Sequence, residues 1–329
     1  MDINQLKTTV STLLAPTKGI LAADESTGTI KKRFEKIGVE SNPETNLAYR
    51  TMLFTTPGVE EFLSGVILFD ETIRQSINGT PVASYLDSKG IVAGIKVDKG
   101  TVPLPNFPDE KITEGLDGLR QRFEEYGGMG AKFSKWRAVI KIGEGIPSET
   151  CLLANAEVLA RYSALAQEAN IVPIIEPEVI RDGAHDLQKC AEVTAAMLKV
   201  IFERISSHKI ALEGLILKTN MATAGEENPN QASPDEVAKA TLDVLLQSVP
   251  KELPGIVFLS GGQSAKSATE NLNAIAKIGG SWQLSYSFAR ALQGQAMEIW
   301  AGKEENVAEA QKAFAERAKL VSLARQGKL

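Results

Sequence analysis

Lys218 closes an apolar run, LEGLILKTNM (Leu212–Met221), and is the residue whose type and setting most suggest chemistry. As a strand, Leu215-Ile216-Leu217 is too apolar to face water on one side and suits a parallel sheet covered on both faces. An ammonium drawn into low dielectric loses basicity, and a second cation nearby lowers it further. An amine kept neutral this way attacks a ketone or aldehyde and forms a Schiff base. A lysine at a strand end can instead snorkel into solvent on its apolar stem. What surrounds Lys218 therefore decides its role.

Other charged and small polar residues recur at the ends of apolar runs with the period of two that puts side chains on one face of a strand. Asp24 and Ser26 end the first run, Lys96 and Asp98 the third, Lys135 and Arg137 the fourth, Glu176 and Glu178 the fifth. Ser260-Gly261-Gly262 ends the seventh, and Ser287 and Arg290 follow the eighth. One charged strand tip is ordinarily just solvated, but convergence on one rim lets buried charges partner each other. Lys135 supplies the like charge that favours a neutral Lys218. Glu176 and Asp24, set among lysines, can hold and pass protons; a plainer role for Glu176 and Glu178 is charge balance. SGGQS, before a helix, offers backbone N–H groups to an anion. With Arg290 it fits the phosphate site usual behind strands seven and eight of a barrel. Lys96, Arg33 and Ser26 form a second candidate anion site. Two cationic ends imply a substrate with two phosphates.

The elements that must position these residues alternate. Strands are expected at 19–26, 65–72, 90–98, 133–143, 171–180, 212–221, 255–264 and 282–288. Helices are expected over 2–15, around Arg33 and Phe34, and over 46–55, 116–126, 148–170, 185–206, 233–249 and 265–278. A last helical stretch covers 289–323, broken at Gly302, and Gly/Pro-rich 99–108 reads as loop. Ser233-Pro234-Asp235-Glu236 is a helix start with a capping serine and an early proline. Strand–helix alternation implies a parallel sheet with right-handed crossovers. Eight units point to a closed α/β (β/α)8 TIM barrel, one domain over residues 1–329 with extra N- and C-terminal helices. A doubly wound open sheet is the alternative, weakened because no GxGxxG follows an early strand.

The chain is 329 residues with 43% hydrophobic residues and net charge −5, which disfavours nucleic acid or an anionic membrane as main partner. Cys151 and Cys190 are too few for a disulfide scaffold. With no signal-peptide pattern or membrane-length apolar run, a cytoplasmic location is expected. His185, in GAHDL, and His208, in SSHKI, are the only histidines and read as surface positions. No zinc-ligand spacing occurs, and neither metal nor cofactor is expected. Trp136, Trp282 and Trp300 read as core or interface filler, with Trp136 facing away from Lys135 and Arg137.

LAADESTGTIKKR, GVILFDET, GIKVDKG, KWRAVIKIGE, NAEVLARY, IVPIIEPE, HDLQKC, LEGLILK, FLSGGQS and RALQ together resemble the class I fructose-1,6-bisphosphate aldolases, in order, from about Pro16 to Lys328. The resemblance implies a (β/α)8 barrel, a homotetramer, phosphorylated sugar substrates and a metal-free role in glycolysis and gluconeogenesis. It implies that Lys218 is the Schiff-base lysine, Glu176 the acid/base beside it and Lys135 the neighbouring cation. Asp24 would assist at the C4 hydroxyl and Glu178 support the lysine cluster. Ser260, Gly261 and Arg290 would hold the C1 phosphate, and Lys96, Ser26 and Arg33 would lie toward the C6 phosphate. Arg137, Thr29, Gly262 and Ser287 are further expected contacts to the substrate or its phosphates. Thr219 stands where proline is common, Thr29 where serine is frequent, and Phe288-Ala289 where Tyr-Gly is common. The sequence ends at Leu329, whereas many relatives carry a longer mobile tail ending in a tyrosine that aids proton exchange at the enamine. That difference bears on the rate of that step and on the preference for bisphosphates. Two rivals stand: another Schiff-base barrel aldolase or transaldolase, and a non-catalytic barrel that binds partners.

Overall fold

In the computed structural model, which describes residues 1–329, eight parallel strands close into a barrel. They are β1 (Gly19–Ala23), β2 (Leu63–Leu68), β3 (Val92–Lys96), β4 (Phe133–Ile140), β5 (Val172–Val179), β6 (Ile216–Thr219), β7 (Gly255–Phe258) and β8 (Gln283–Phe288). Neighbours follow chain order, and β8 returns to pair with β1.

The helices are α1 (Ile3–Leu13), α2 (Thr27–Glu35), α3 (Pro43–Phe54), α4 (Asp70–Ile73), α5 (Val82–Ser88) and α6 (Leu119–Gly128). They continue with α7 (Glu149–Glu168), α8 (Leu187–Ser207), α9 (Pro234–Ser248), α10 (Ala265–Ile278), α11 (Arg290–Trp300) and α12 (Val307–Arg325). Their starts are set by side chains that accept from otherwise orphaned backbone N–H groups. Ser148 caps α7, Asp186 caps α8 and Ser264 caps α10. Ser233 and Glu236 form a reciprocal capping box on α9, with Pro234 in its first turn.

Two apolar layers follow from alternation along the strands. The outward side chains pack with the helices into the larger core, in which Trp136 is fully buried against Tyr162 of α7. Inside the barrel, Ile20, Ala22, Ile67, Phe133, Val172, Ile174, Ile216 and Val257 meet Leu6, Val10 and Leu13 of α1. α1 thus plugs the N-terminal end of the barrel. Along the same inward rows, two residues beyond Phe133, Ile174 and Ile216, come Lys135, Glu176 and Lys218. The apolar floor and the charged layer are consecutive steps of one period-two pattern.

Several strands end sooner than the sequence suggests. β1 stops at Ala23, so Ser26 reaches the mouth from the start of α2 and not by alternation with Asp24. β2 stops at Leu68 and Asp70 opens α4, while β7 stops at Phe258 and leaves SGG in a turn. Ser287 lies within β8, not after it. The stretch read as loop after β3 holds an antiparallel hairpin, Thr101–Pro103 with Lys111–Thr113.

Gly94 of β3 fits because it has no side chain: a Cβ there would lie 2.3 Å from the Phe133 ring. Overpacking of this kind costs about 1–3 kcal/mol. Gly94→Ala is expected to lower the urea unfolding midpoint; an unchanged midpoint would show that the barrel floor is not close-packed.

Candidate active site

β4 and β5 are the longest strands, at 8 residues each, and their pairing aligns Lys135 with Ile174 and Arg137 with Glu176. β3 joins in register with Lys96 opposite Lys135. β6 pairs Ile216 with Ile174, and carrying that register two residues on sets Lys218 level with Glu176. The register therefore sets Lys96 level with Lys135, and Lys218 level with Glu176 one inward position further along.

Their polar atoms form a continuous chain. Lys218 Nζ lies 3.1 Å from Glu176 Oε1, and Lys135 Nζ lies 3.1 Å from Glu176 Oε2 and 2.8 Å from Asp24 Oδ2. Asp98 Oδ2 is 3.9 Å from Lys135, and its Oδ1 is 3.4 Å from Lys96. Asp98 also accepts from the backbone N–H groups of Gly100 and Arg137, which stitches β3, β4 and the following loop together. Lys135, Glu176 and Lys218 are each no more than 5% exposed. Burying isolated charges is costly, so the alternation of three lysines with three carboxylates is what makes the cluster tenable.

The electrostatics follow. Burial alone would raise the Asp24 carboxyl, but Lys135 and Lys218 outweigh it and bring it down to about 2. Glu176 is held below the usual carboxylate range: burial opposes ionisation, while Lys135, Lys218 and Arg137 overcome it. For Lys135 burial lowers the pKa, yet Asp24, Glu176 and Asp98 together push it well above an ordinary lysine. Lys135 is thus a fixed cation bridging two fixed anions.

These residues floor a cleft of about 520 Å³ at the C-terminal end of the barrel. All the residues expected at the site line it: Asp24, Ser26, Thr29, Arg33, Lys96, Lys135, Arg137, Glu176, Glu178, Lys218, Ser260, Gly261, Gly262, Ser287 and Arg290. At one end the turn after β7 places Gly261 and Gly262 at φ +53 and +77, left-handed geometry that favours glycine. Ser287 contributes a buried hydroxyl with no protein partner, and Arg290 opens α11 from an exposed position. At the other end the Ser26 and Thr29 hydroxyls are 3.1 Å apart in the first turn of α2, with Lys32, Arg33 and Lys36 along its flank.

Glu178, expected to support the lysine cluster, accepts at Oε2 from Arg137 Nε at 2.6 Å and not from a lysine. Arg33 pairs with Glu25, an acid that sequence reasoning passed over. Glu25 follows directly on the candidate Asp24, but nothing in the local pattern says that it folds inward. His185 is not a surface residue: it is half-buried, and both ring nitrogens are withdrawn from solvent without a hydrogen-bond partner. Burial, then the nearby Arg181, lowers its pKa below the usual histidine value.

A family-wide profile for fructose-bisphosphate aldolase class-I matches residues 5–329. The chain belongs to the class I fructose-bisphosphate aldolases. A probable fructose-bisphosphate aldolase class 1 from Xanthomonas axonopodis pv. citri (strain 306) is 51% identical over 331 residues, covering 100% of this chain and 99% of its own. The cytosolic fructose-bisphosphate aldolase 4 of Arabidopsis thaliana is 49% identical over 95% of this chain and 80% of its own. Among solved structures, the Plasmodium falciparum aldolase, crystallised with TRAP and a small-molecule inhibitor, superposes with a TM-score of 0.97 at 44% identity, over 99% of this chain and 95% of that one. The aldolase described here is therefore a carbon–carbon lyase that cleaves fructose 1,6-bisphosphate reversibly to dihydroxyacetone phosphate and glyceraldehyde 3-phosphate. None of its helices is long and apolar enough to cross a membrane.

Removing Lys135 strands the buried Asp24 carboxylate and leaves Glu176 with Lys218 alone. Lys135→Met is expected to destabilise the aldolase by roughly 3–5 kcal/mol at neutral pH, the usual cost of breaking a buried pair. The Asp24 contribution to wild-type stability is present above the ordinary carboxylate pKa and lost as pH falls toward about 2. The difference between variant and wild type should therefore shrink on acidification through that window, measured as denaturant midpoints. A pH-independent difference would show that the loss is one of packing.

Proposed function

We propose that Lys218 is the nucleophile, and that its Nζ attacks the C2 ketone of fructose 1,6-bisphosphate. The observation that carries this is the 3.1 Å contact between Lys218 Nζ and Glu176 Oε1 at the base of a cleft with cationic groups at both ends. Glu176 is the acid/base at that nitrogen: it takes the amine proton and returns it to the carbinolamine hydroxyl, which leaves as water. The protonated Schiff base then withdraws electrons from C3–C4. Asp24, across Lys135 from Lys218, accepts the C4 hydroxyl proton; the C3–C4 bond breaks and glyceraldehyde 3-phosphate departs. Protonation and hydrolysis of the enamine release dihydroxyacetone phosphate and regenerate the amine. Lys135 keeps both carboxylates ionised and in place.

Ser260, Gly261, Gly262, Ser287 and Arg290 hold the C1 phosphate in this reading. Ser26, Thr29, Arg33 and Lys96 face the C6 phosphate, and Arg137, braced by Glu178, borders the sugar. The enzyme acts in the cytoplasm in glycolysis and gluconeogenesis, as a homotetramer and without a metal. Class membership supports pathway and assembly, and the named cytosolic plant relative supports location.

Borohydride reduction in the presence of dihydroxyacetone phosphate should leave a three-carbon adduct on Lys218, mapped by peptide mass spectrometry. An adduct on another residue would sink the assignment. Lys218→Met should fold normally and show no turnover, and Glu176→Gln should lower kcat by about 10²–10⁴-fold. Transfer of a dihydroxyacetone unit to a second aldehyde without net cleavage would instead favour a transaldolase. A chelator should leave the rate unchanged.

A further inference from the structure

Glu25 is a buried acid that the mechanism does not use. Its Oε1 pairs with Arg33 Nη1 and accepts from Gln293 Nε2 at 2.5 Å, while its Oε2 has neither partner nor solvent. It is held from two further sides. Gln293, on α11, also donates to the Ala22 carbonyl and accepts from the Tyr49 hydroxyl at 2.9 Å. Arg50, fully buried on α3, donates to the Glu25 carbonyl at 2.8 Å.

A carboxylate with one oxygen unsatisfied in the interior is a poor device for stability alone. What it does accomplish is directional. Arg33 rides on a long, flexible stem, and only its Nη1 is engaged by protein. With that corner clamped, Nε and Nη2 stay available on a guanidinium that borders the cleft. A planar fork fixed at one corner loses less freedom when it takes up a phosphate.

We infer that Glu25 is a positioning residue that aims Arg33 at the phosphate farther from the Schiff-base carbon, and so sets the preference for sugars phosphorylated at both ends. This rests on the reading above that Arg33 faces the C6 phosphate. Glu25→Gln keeps the shape and removes the charge that clamps Arg33. It is expected to raise KM for fructose 1,6-bisphosphate about tenfold with kcat nearly unchanged, the pattern of lost uniform binding. The constants for fructose 1-phosphate should stay the same. Arg33→Gln should show the same selective loss, and the double variant should be no worse than Arg33→Gln alone. If Arg33→Gln changes selectivity and Glu25→Gln does not, the positioning role is wrong and the phosphate assignment survives. If neither changes it, the phosphate assignment fails first. Equal losses on both sugars would mark Glu25 as structural. Should Glu25→Gln not fold, Gln293→Leu carries the test with both charges in place: a selective rise in bisphosphate KM supports the role, and unchanged constants overturn it.

Discussion

The ammonium of Lys135, out of water between Asp24 and Glu176, is the contact on which the site depends. Two carboxylates this deep would repel each other, and each would draw a proton in place of staying ionised. One shared cation removes both problems and fixes their separation. It also leaves Glu176 one oxygen for Lys135 and the other for Lys218. Lys218 and Glu176 are thus in contact before any substrate arrives, as the proposed amine and proton carrier would need. Preorganisation of this kind is where an enzyme gains most, because the dipoles need not reorient as charge moves.

The barrel supplies this geometry through register. Phe133, Ile174 and Ile216 fill the lower layer, and the next inward positions on the same strands carry Lys135, Glu176 and Lys218. A slip of one residue in β4, β5 or β6 would send a charge into the apolar helix layer and a hydrophobe into the cleft. The floor and the ring enforce each other: α1 closes the barrel from below, beneath the charged layer. Polar ends on apolar strands made this layer legible in the sequence, and strand–helix alternation made the barrel legible with it.

What stayed hidden depends on side chains that meet only after folding. GILAADES places Asp24 but does not say that Glu25 turns in toward Arg33 and Gln293, residues 8 and 268 positions away. Glu178 sits two residues from Glu176 and so faces the same way, yet its partner across β4 is Arg137, one step above the lysines. The hairpin 101–113 escaped notice because its strands are 3 residues each and lie among prolines and glycines. Strands this short carry little periodicity. His185 sits in a polar turn, yet the loops after β5 and β6 close over its ring: Gly225 donates to its carbonyl, and a side chain on Gly225 would meet its Nδ1 at 3.1 Å.

Paired and unpaired cations divide the cleft of this acidic protein into a neutral floor and cationic rims. At the base of the cleft every lysine faces a carboxylate within 4 Å, so the floor carries little net charge and its groups are free to exchange protons. At the rims Lys32, Lys36 and Arg290 have no carboxylate partner, and Arg33 has only one corner engaged. The net charge of −5 is spread over a surface whose distant charges are screened beyond about 8–10 Å in physiological salt. A phosphate at the mouth responds to the unpaired cations beside it and hardly to the rest of the molecule. In the proposed reading, recruitment and chemistry therefore rest on different lysines and arginines of one cleft: the unpaired rim cations for the phosphates and the neutralised floor for the carbonyl.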